Sequence, residues 1–136
     1  MKTPLTVETI IENQPLEKIW DFWTNPKHIV NWCFASDDWH APRAINDLQA
    51  GGKFSTRMEA KDGSQGFDME GVYTFVDPLK TIEYVFGDRK VRIEFVKLEN
   101  GYKVMETFDP EDINTEELQR AGWKSILENF KTYVTA

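Results

Sequence analysis

Residues 81–95 read TIEYVFGDRKVRIEF, in which two alternating segments flank the pair Gly87-Asp88. Alternation with a period of two is typical of a strand that buries one face, because successive side chains point to opposite sides of the backbone. Gly-Asp between two such segments favours a two-residue hairpin turn. The stretch therefore predicts an antiparallel hairpin, with Ile82, Tyr84 and Phe86 on one strand and Val91, Ile93 and Phe95 on the other.

The same alternation continues on both sides of this hairpin. Residues 53–59 and 67–76 each predict a strand, and Asn100-Gly101 favours a second tight turn before a last strand at 102–108, because both turn residues tolerate a positive φ. Residues 33–50 lack a sustained period and predict a loop with an edge strand. Together these segments predict an antiparallel meander. The strand at 67–76 is expected to present one face to the core, formed by Phe67, Met69, Gly71, Tyr73 and Phe75.

A strand and two short helices are predicted before the meander. Pro15 begins the first helix. Thr24-Asn25-Pro26 begins the second, because a capping side chain precedes a proline whose missing N–H costs nothing at that position. Residues 3–12 alternate as a strand, with one face formed by Leu5, Val7, Thr9 and Ile11.

A long helix is predicted at the carboxyl end of the chain, from Asn114 as its N-cap, with Glu117 at the third helical position, to about Val134. Gly122 lies in its apolar stripe and costs roughly 1 kcal/mol relative to alanine. It therefore predicts a close approach to a neighbouring element, the alternative being a tolerated surface glycine. The stripe must lie on the sheet and is formed by Leu118, Gly122, Trp123, Ile126, Leu127, Phe130 and Val134.

The order of these elements predicts an α+β fold. A strand, two short helices, about six antiparallel strands and one long helix follow each other without a linker, repeat or low-complexity tract. We therefore expect residues 1–136 to form a single domain. A twisted antiparallel sheet wrapped around a terminal helix can leave a space between the two. The 9 Phe, 5 Trp and 4 Tyr are enough both to fill a core and to line such a space.

Composition and charge exclude several classes of function. The 16 Lys and Arg against 23 Asp and Glu give a net charge of −7 without a basic cluster, which argues against binding to nucleic acid. No apolar run approaches the ~18–20 residues that span a bilayer, so no membrane partner is expected. The amino terminus lacks the apolar stretch of a signal peptide, and Cys33, the one cysteine, cannot form an internal disulfide. A cytoplasmic protein is predicted.

Several short motifs, in this order, resemble one known family. They match, from about Thr6 to Val134, the activator of heat-shock-protein-90 ATPase-like family within the START-like (SRPBCC, polyketide-cyclase-like) superfamily. The motifs are Trp39-His40-Ala41-Pro42, Asn46-Asp47-Leu48, Gly51-Gly52-Lys53-Phe54, Met58-Glu59-Ala60-Lys61-Asp62-Gly63, Phe67, Gly71-Val72-Tyr73, Phe108-Asp109-Pro110-Glu111, Gln119-Arg120-Ala121-Gly122-Trp123 and Ile126-Leu127-Glu128-Asn129-Phe130.

The resemblance implies a helix-grip (START-like) fold, in which a curved antiparallel sheet surrounds the carboxy-terminal helix and a hydrophobic cavity lies between them. Members of the superfamily bind lipids, sterols, polyketides or hormones, and a few are cyclases or hydrolases. Members that stimulate a chaperone ATPase use an additional domain, for which 136 residues leave no room. A protein that binds a small hydrophobic ligand is the first expectation. A cyclase or hydrolase that uses the same cavity and a chaperone-regulating module are the alternatives.

Metal and nucleophile chemistry receive little support. Catalytic zinc sites draw about three ligands from regular spacings that this sequence lacks, and Cys33 paired with His40 or His28 would still need an orienting group and an oxyanion pocket. We therefore predict no metal, no cofactor and no catalytic residue. The side chains that could in principle bind a metal are His28, Cys33, Asp37, Asp38 and His40.

Glu106 is the one acid whose position the alternation leaves open. It shares a face with Val104 and Phe108, so either Glu106 lies inside or its neighbours on the strand do. An exposed carboxylate is the less costly arrangement, because an unpaired buried one has a raised pKa and a desolvation cost. If Glu106 lies inside, Arg57 or His40 is expected as its partner.

The ligand is expected to contact aromatic side chains, because small-molecule pockets are mainly apolar with a few polar anchors and Tyr and Trp add a hydrogen-bonding group to an apolar ring. The predicted ligand-binding residues are Trp32, Phe34, Trp39, His40, Phe54, Arg57, Phe67, Met69, Tyr73, Tyr84, Phe86, Glu106, Trp123 and Leu127.

Overall fold

A computed structural model describes residues 3–136 as seven strands and three helices. Their order agrees with the predicted one, and six strands follow the two short helices. The elements are β1 (Leu5–Glu12), α1 (Leu16–Thr24), α2 (Pro26–Ile29), β2 (Trp39–Asn46), β3 (Lys53–Ala60), β4 (Gly66–Asp77), β5 (Thr81–Phe86), β6 (Arg89–Lys97), β7 (Gly101–Phe108) and α3 (Glu116–Thr135).

The seven strands form one antiparallel sheet in the order β1-β7-β6-β5-β4-β3-β2. Strands β2 to β7 are a meander, and β1 joins β7 at the far edge. The sheet curls around α3, which packs most closely on β1 and α1. The predicted α+β class and helix-grip fold are therefore confirmed.

The faces of the strands follow the predicted alternation, with one exception on β4. The predicted inward face of β1 is buried throughout. On β4 the register shifts between Tyr73 and Phe75. This bulge keeps Tyr73 inside and turns Phe75 outward, where its side chain is 46 % exposed. The prediction that Phe75 faces the core is wrong, because one extra residue in a strand reverses the face of every side chain after it.

The two hairpin turns differ in their outcome. Gly87 has a φ of 62°, as the predicted turn requires. A hairpin joins β6 and β7 as predicted, but its turn lies at residues 98–100: β6 ends at Lys97, β7 begins at Gly101, and neither Asn100 nor Gly101 has a positive φ. Gly101 is instead a strand residue opposite Glu12, and a Cβ there would overlap the backbone of Ile11. Close approach of β1 therefore explains this glycine.

Helix α3 begins one residue later than predicted. Thr115, not Asn114, is its N-cap, and the Thr115 side chain accepts a hydrogen bond from the Leu118 N–H. Leu118 is 60 % exposed, so it does not belong to the buried stripe. No neighbour would lie within 4 Å of a Cβ at Gly122, so the predicted close approach is wrong and the tolerated surface glycine is correct. The buried residues of α3 are Gln119, Leu127, Phe130 and Val134.

An aromatic cluster joins α1, α3 and the sheet. The Phe130 ring meets those of Trp23 and Trp32 edge to face, with centroids 4.8 and 4.9 Å apart. Trp23 also meets Phe95 of β6 edge to face. Such pairs stabilise a core beyond the effect of burial alone. This cluster fixes the carboxyl-terminal half of α3 against the rest of the molecule.

Candidate functional site

A cavity of about 860 Å³ lies between the inner face of the sheet and α3 with the loop that precedes it. Most of its lining is apolar, as is usual for small-molecule pockets. The lining residues are Trp23, Ile29, Trp32, Cys33, Phe54, Thr56, Met58, Phe67, Asp68, Met69, Glu70, Tyr73, Ile82, Tyr84, Phe86, Gly87, Asp88, Arg89, Ile93, Glu106, Glu111, Asn114, Trp123 and Ile126.

The cavity exists because α3 packs tightly on the sheet only towards its carboxyl end. Leu127, Phe130 and Val134 are fully buried. Nearer its amino end, α3 contacts the sheet through Trp123, whose ring stacks on that of Phe108 with centroids 4.0 Å apart. This large side chain holds the helix away from β7. The inner side chains of β3, β4 and β5 consequently face the open space.

A row of rings forms the wall of the cavity along the sheet. Phe54 and Tyr84 meet edge to face at 4.8 Å, and Tyr84 continues to Phe86 at 6.0 Å. Phe86 then reaches Trp123 of α3 at 6.3 Å. The Tyr73 hydroxyl donates to Asn46 Oδ1 at 2.6 Å, which fixes that ring. The wall is therefore preorganised by contacts between its own side chains.

Among residues 3–136, Glu106 is the one acid that is buried on the inner face of the sheet. It lies on β7 between Val7 of β1 and Ile93 of β6, and only 6 % of it is exposed. Burial raises the pKa of its carboxyl to about 8, because an apolar environment disfavours the charged form. The exposed arrangement favoured by the sequence is wrong: Glu106 lies inside.

The partners expected for Glu106 are also wrong. Arg57 lies on the outer face of β3, where its guanidinium contacts Glu59 at 2.9 Å and Asp68 at 3.6 Å. His40 lies on the same face, 3.7 Å from Glu59. The side chains of Thr56 and Met58 alternate with Arg57 and point inward instead. Asp68 and Glu70 border the cavity, but strand alternation places their side chains on the outer face as well.

Two other polar groups lie close enough to Glu106 for their charges to interact. Burial raises the pKa of the Cys33 thiol to about 12, and the charge of Glu106 adds to this effect. Burial also raises the pKa of the Tyr84 hydroxyl well above its ordinary value, again with a contribution from Glu106. All three side chains line the cavity. They form one polar site among the mainly apolar side chains of the inner wall.

The geometry does not bring Cys33 together with a histidine. His28 Nδ1 is hydrogen-bonded to the Tyr133 hydroxyl at 2.7 Å, and its ring stacks on Phe22. His40 lies on the outer face. A thiol with a raised pKa is a weak nucleophile, because the thiolate is the reactive form. Cys33 therefore forms no nucleophilic pair with His28 or His40.

No group of three or more His, Cys, Asp or Glu side chains within residues 3–136 is arranged to hold a metal ion. No helix in the same range is both long and apolar enough to cross a membrane.

Charged groups surround the mouth of the cavity near the β5–β6 turn. Asp88 and Glu111 lie there with Arg89. The Arg89 guanidinium lies over the Phe86 ring at 4.5 Å, and its Nε donates to the Asp109 carbonyl at 3.0 Å. The Arg89 guanidinium at the mouth is therefore already engaged in contacts within the protein.

The structure brings nine of the predicted site residues together around the cavity, and five lie elsewhere. Their contact with a ligand stays a prediction. Of the five, Leu127 is in the core, His40 and Arg57 are on the outer face, and Trp39 contacts Phe67 beside the cavity. The Phe34 carbonyl accepts a hydrogen bond from the Asn129 side chain. The nine are Trp32, Phe54, Phe67, Met69, Tyr73, Tyr84, Phe86, Glu106 and Trp123.

The prediction missed smaller and aliphatic lining residues. Strand alternation alone could have found Thr56 and Met58, because they share a face with Phe54. Ile82 and Ile93 share faces with predicted rings in the same way. The polarity pattern could not predict that Glu111 and Asn114, in the loop after β7, border the cavity. Their position depends on Gln119, whose side chain forms hydrogen bonds with the backbone of that loop.

Comparisons with known proteins agree with this architecture. The profile of the family "Activator of Hsp90 ATPase homolog 1-like protein" matches residues 13–135. The AHSA1-like protein from Aeromonas hydrophila, solved in solution, is 41 % identical, with a TM-score of 0.91 over 97 % of this chain and 92 % of that one. A search of proteins with curated descriptions gave no significant match.

Two further solved structures are similar to this chain. The protein Chr148 from Cytophaga hutchinsonii is 50 % identical, with a TM-score of 0.83 over 96 % of this chain and 90 % of that one. The protein CV1439 from Chromobacterium violaceum is 18 % identical, with a TM-score of 0.86 over 99 % of both chains, and shows the fold alone.

Proposed function

The chain belongs to the family of activator of Hsp90 ATPase homolog 1-like proteins, and from the geometry of its cavity we propose that it binds a small, mainly apolar molecule between its sheet and α3. The observation that carries the proposal is the aromatic-lined cavity of about 860 Å³. Protein interiors are normally close-packed. A volume within the range of ~300–1,000 Å³ found for ligand pockets is suited to a ligand rather than to core packing.

The distribution of polar groups also supports binding. Charged side chains border the cavity at Asp88, Arg89 and Glu111, whereas the polar groups on its inner wall include Glu106, Tyr84 and Cys33 among mainly apolar side chains. Such a pattern gives an apolar molecule its affinity through burial and its orientation through a few polar contacts. A free thiol and the acidic composition suit a protein of the cytoplasm, where we place this binding. A chaperone partner, suggested by family resemblance alone, stays a prediction.

Filling the cavity should abolish binding. Thr56 is buried on the inner face of β3 and borders the cavity, so Thr56→Phe adds a ring where the ligand would lie. The neighbouring Ser55→Phe places the same ring on the outer face and is the matched control. With the uncharged probe N-phenyl-1-naphthylamine, we expect wild type and Ser55→Phe to enhance the probe's fluorescence equally and Thr56→Phe to bind it about tenfold or more weakly.

Thermal unfolding of both variants shows whether they remain folded. No enhancement with folded wild-type protein, or equal enhancement by folded Thr56→Phe, would contradict ligand binding in this cavity.

An enzyme that uses the same cavity is the second candidate, and Glu106 is the observation that favours it. A buried carboxyl with a pKa of about 8 is suited to donate or accept a proton near neutral pH. Mass spectrometry of the small molecules that co-purify with wild type and Glu106→Gln separates the two candidates. An enzyme should retain its unconverted substrate in the variant, whereas a binding protein should retain no new molecule there. Identical molecules in both preparations would therefore contradict an enzymatic role for Glu106.

A further inference from the structure

The Glu106 carboxyl lacks a partner inside the protein. Among residues 3–136, no hydrogen bond or ion pair satisfies it, although only 6 % of the residue is exposed. Its neighbours across the sheet are Val7 and Ile93, which are apolar. Burial of a carboxyl without compensation is costly. An unpaired carboxyl on the wall of a cavity is available to bind a group of a ligand that enters the cavity.

The charges around the cavity indicate which kind of ligand group would bind to the Glu106 carboxyl. Asp88 and Glu111 border the same chamber, and Arg89 is held by the Phe86 ring and the Asp109 carbonyl. Arg57 lies on the outer face with its own acidic partners. No cation among the described side chains contacts Glu106. The chamber is therefore negative, and it disfavours a carboxylate or phosphate headgroup.

The rings that line the cavity together with Glu106 suit a cation as well. Tyr84, Phe54 and Trp123 line the same chamber, and Trp32 lies on its helical side. The face of an aromatic ring attracts a cation, and the attraction increases when water is excluded. A carboxylate together with several rings is a combination that recognises an ammonium group.

From this arrangement we propose that the ligand of the cavity is an apolar molecule bearing one ammonium group, which pairs with the Glu106 carboxylate while the apolar body lies among the rings. The inference rests on the proposed function and narrows it to one class of molecule. Tyr84 and Cys33 complete the polar site, because both line the same cavity and lie close enough to Glu106 for their charges to interact with it. Fatty acids and other anionic amphiphiles are the class it excludes.

A set of three probes of equal chain length tests the proposal by titration calorimetry. Decylamine, decanol and decanoate differ only in their headgroup. We expect wild-type protein at pH 7.5 to bind decylamine about tenfold or more tightly than decanol, and decanoate more weakly than decanol. In Glu106→Gln, decylamine should lose this advantage while decanol binds within about twofold of wild type.

The pH dependence of wild-type binding gives a second test, which does not depend on a variant folding. The titratable groups that interact with Glu106 are Cys33 of the α2–β2 loop and Tyr84 of β5, while Tyr73 and Arg89 lie next to Tyr84. Burial raises the pKa of Cys33 and of Tyr84 far above neutrality, whereas the pKa of Glu106 is raised to about 8. Decylamine affinity should rise about tenfold per pH unit between about pH 6 and pH 7.5, because pairing requires the ionised carboxylate. Decanol affinity should stay flat or fall.

The outcomes separate this inference from the proposed function. Equal binding of amine and alcohol by wild type, or tighter binding of decanoate, would overturn the ammonium site and leave cavity binding intact. A failure of all three probes to bind, together with a failure of N-phenyl-1-naphthylamine, would overturn both.

Discussion

Replacing Phe130 with alanine is expected to lower the free energy of unfolding by about 3–5 kcal/mol. The ring is fully buried and contacts both Trp23 and Trp32 edge to face. The substitution therefore removes apolar contacts, leaves a void that rigid neighbouring rings fill poorly, and detaches α3 from α1. Because α3 also forms one wall of the ligand cavity, probe affinity should fall together with stability.

Urea unfolding followed by far-ultraviolet circular dichroism measures this effect. Leu118→Ala is the matched control, since Leu118 lies on the same helix but is 60 % exposed. Its effect should stay below about 0.5 kcal/mol. A Phe130→Ala variant as stable as this control would show that the aromatic cluster does not hold α3 in place.

The fold was predictable because apolar and polar residues alternate along each strand that buries one face, and this pattern can be read from a short stretch of sequence. A strand that buries one face has mainly apolar side chains at every second position, and the inner face of β1 is buried at each residue, with Thr9 as its one polar member. The rule fails at β4, where the bulge between Tyr73 and Phe75 reverses the alternation. A bulge is a feature of the pairing between two strands, and its position is not encoded in the polarity pattern of one strand.

The candidate site was predictable in its rings and less so in its polar groups. Phe54, Tyr84 and Phe86 share the faces that alternation assigns to the core, so they line the cavity. Charge alone indicates Arg57 and His40 as partners for an inner acid, but the structure places both on the outer face. The register between strands, rather than residue type, decides which polar groups meet.

Glu106 shows why energetic reasoning from sequence favours the wrong face at a site of this kind. On stability alone, an unpaired carboxyl belongs in water. The strand nevertheless buries it, because Val104 and Phe108 on the same face are fully buried. Departures from local stability rules of this kind concentrate at functional sites, and this one lies at the centre of the cavity. In the sequence, the best indication of the site was therefore the conflict between the strand alternation, which allows Glu106 to lie inside, and the free-energy cost of burying its carboxyl.

The stability of the wild-type protein should therefore fall as the pH rises from about 5 to 8. The pKa of Glu106 is about 8 in the folded chain against 4.5 as its ordinary value. Between these two values the folded state holds a proton that the unfolded state has lost, so each pH unit lowers the free energy of unfolding by about 1.4 kcal/mol. The full difference is on the order of 5 kcal/mol. Glu106→Gln lacks the titrating group and should not show this loss.

Urea unfolding of wild type and Glu106→Gln at several pH values tests the argument through the difference between their free energies of unfolding. Contributions from the histidines and the other acids are common to both proteins and cancel in that difference. Glu12→Gln, on the exposed outer face of β1, should give a curve parallel to wild type. Parallel curves for wild type and Glu106→Gln would instead mean that water or a neighbouring group solvates the carboxylate. With saturating decylamine the wild-type loss above pH 7 should shrink, because the bound ammonium group compensates the charge that the empty cavity leaves unpaired.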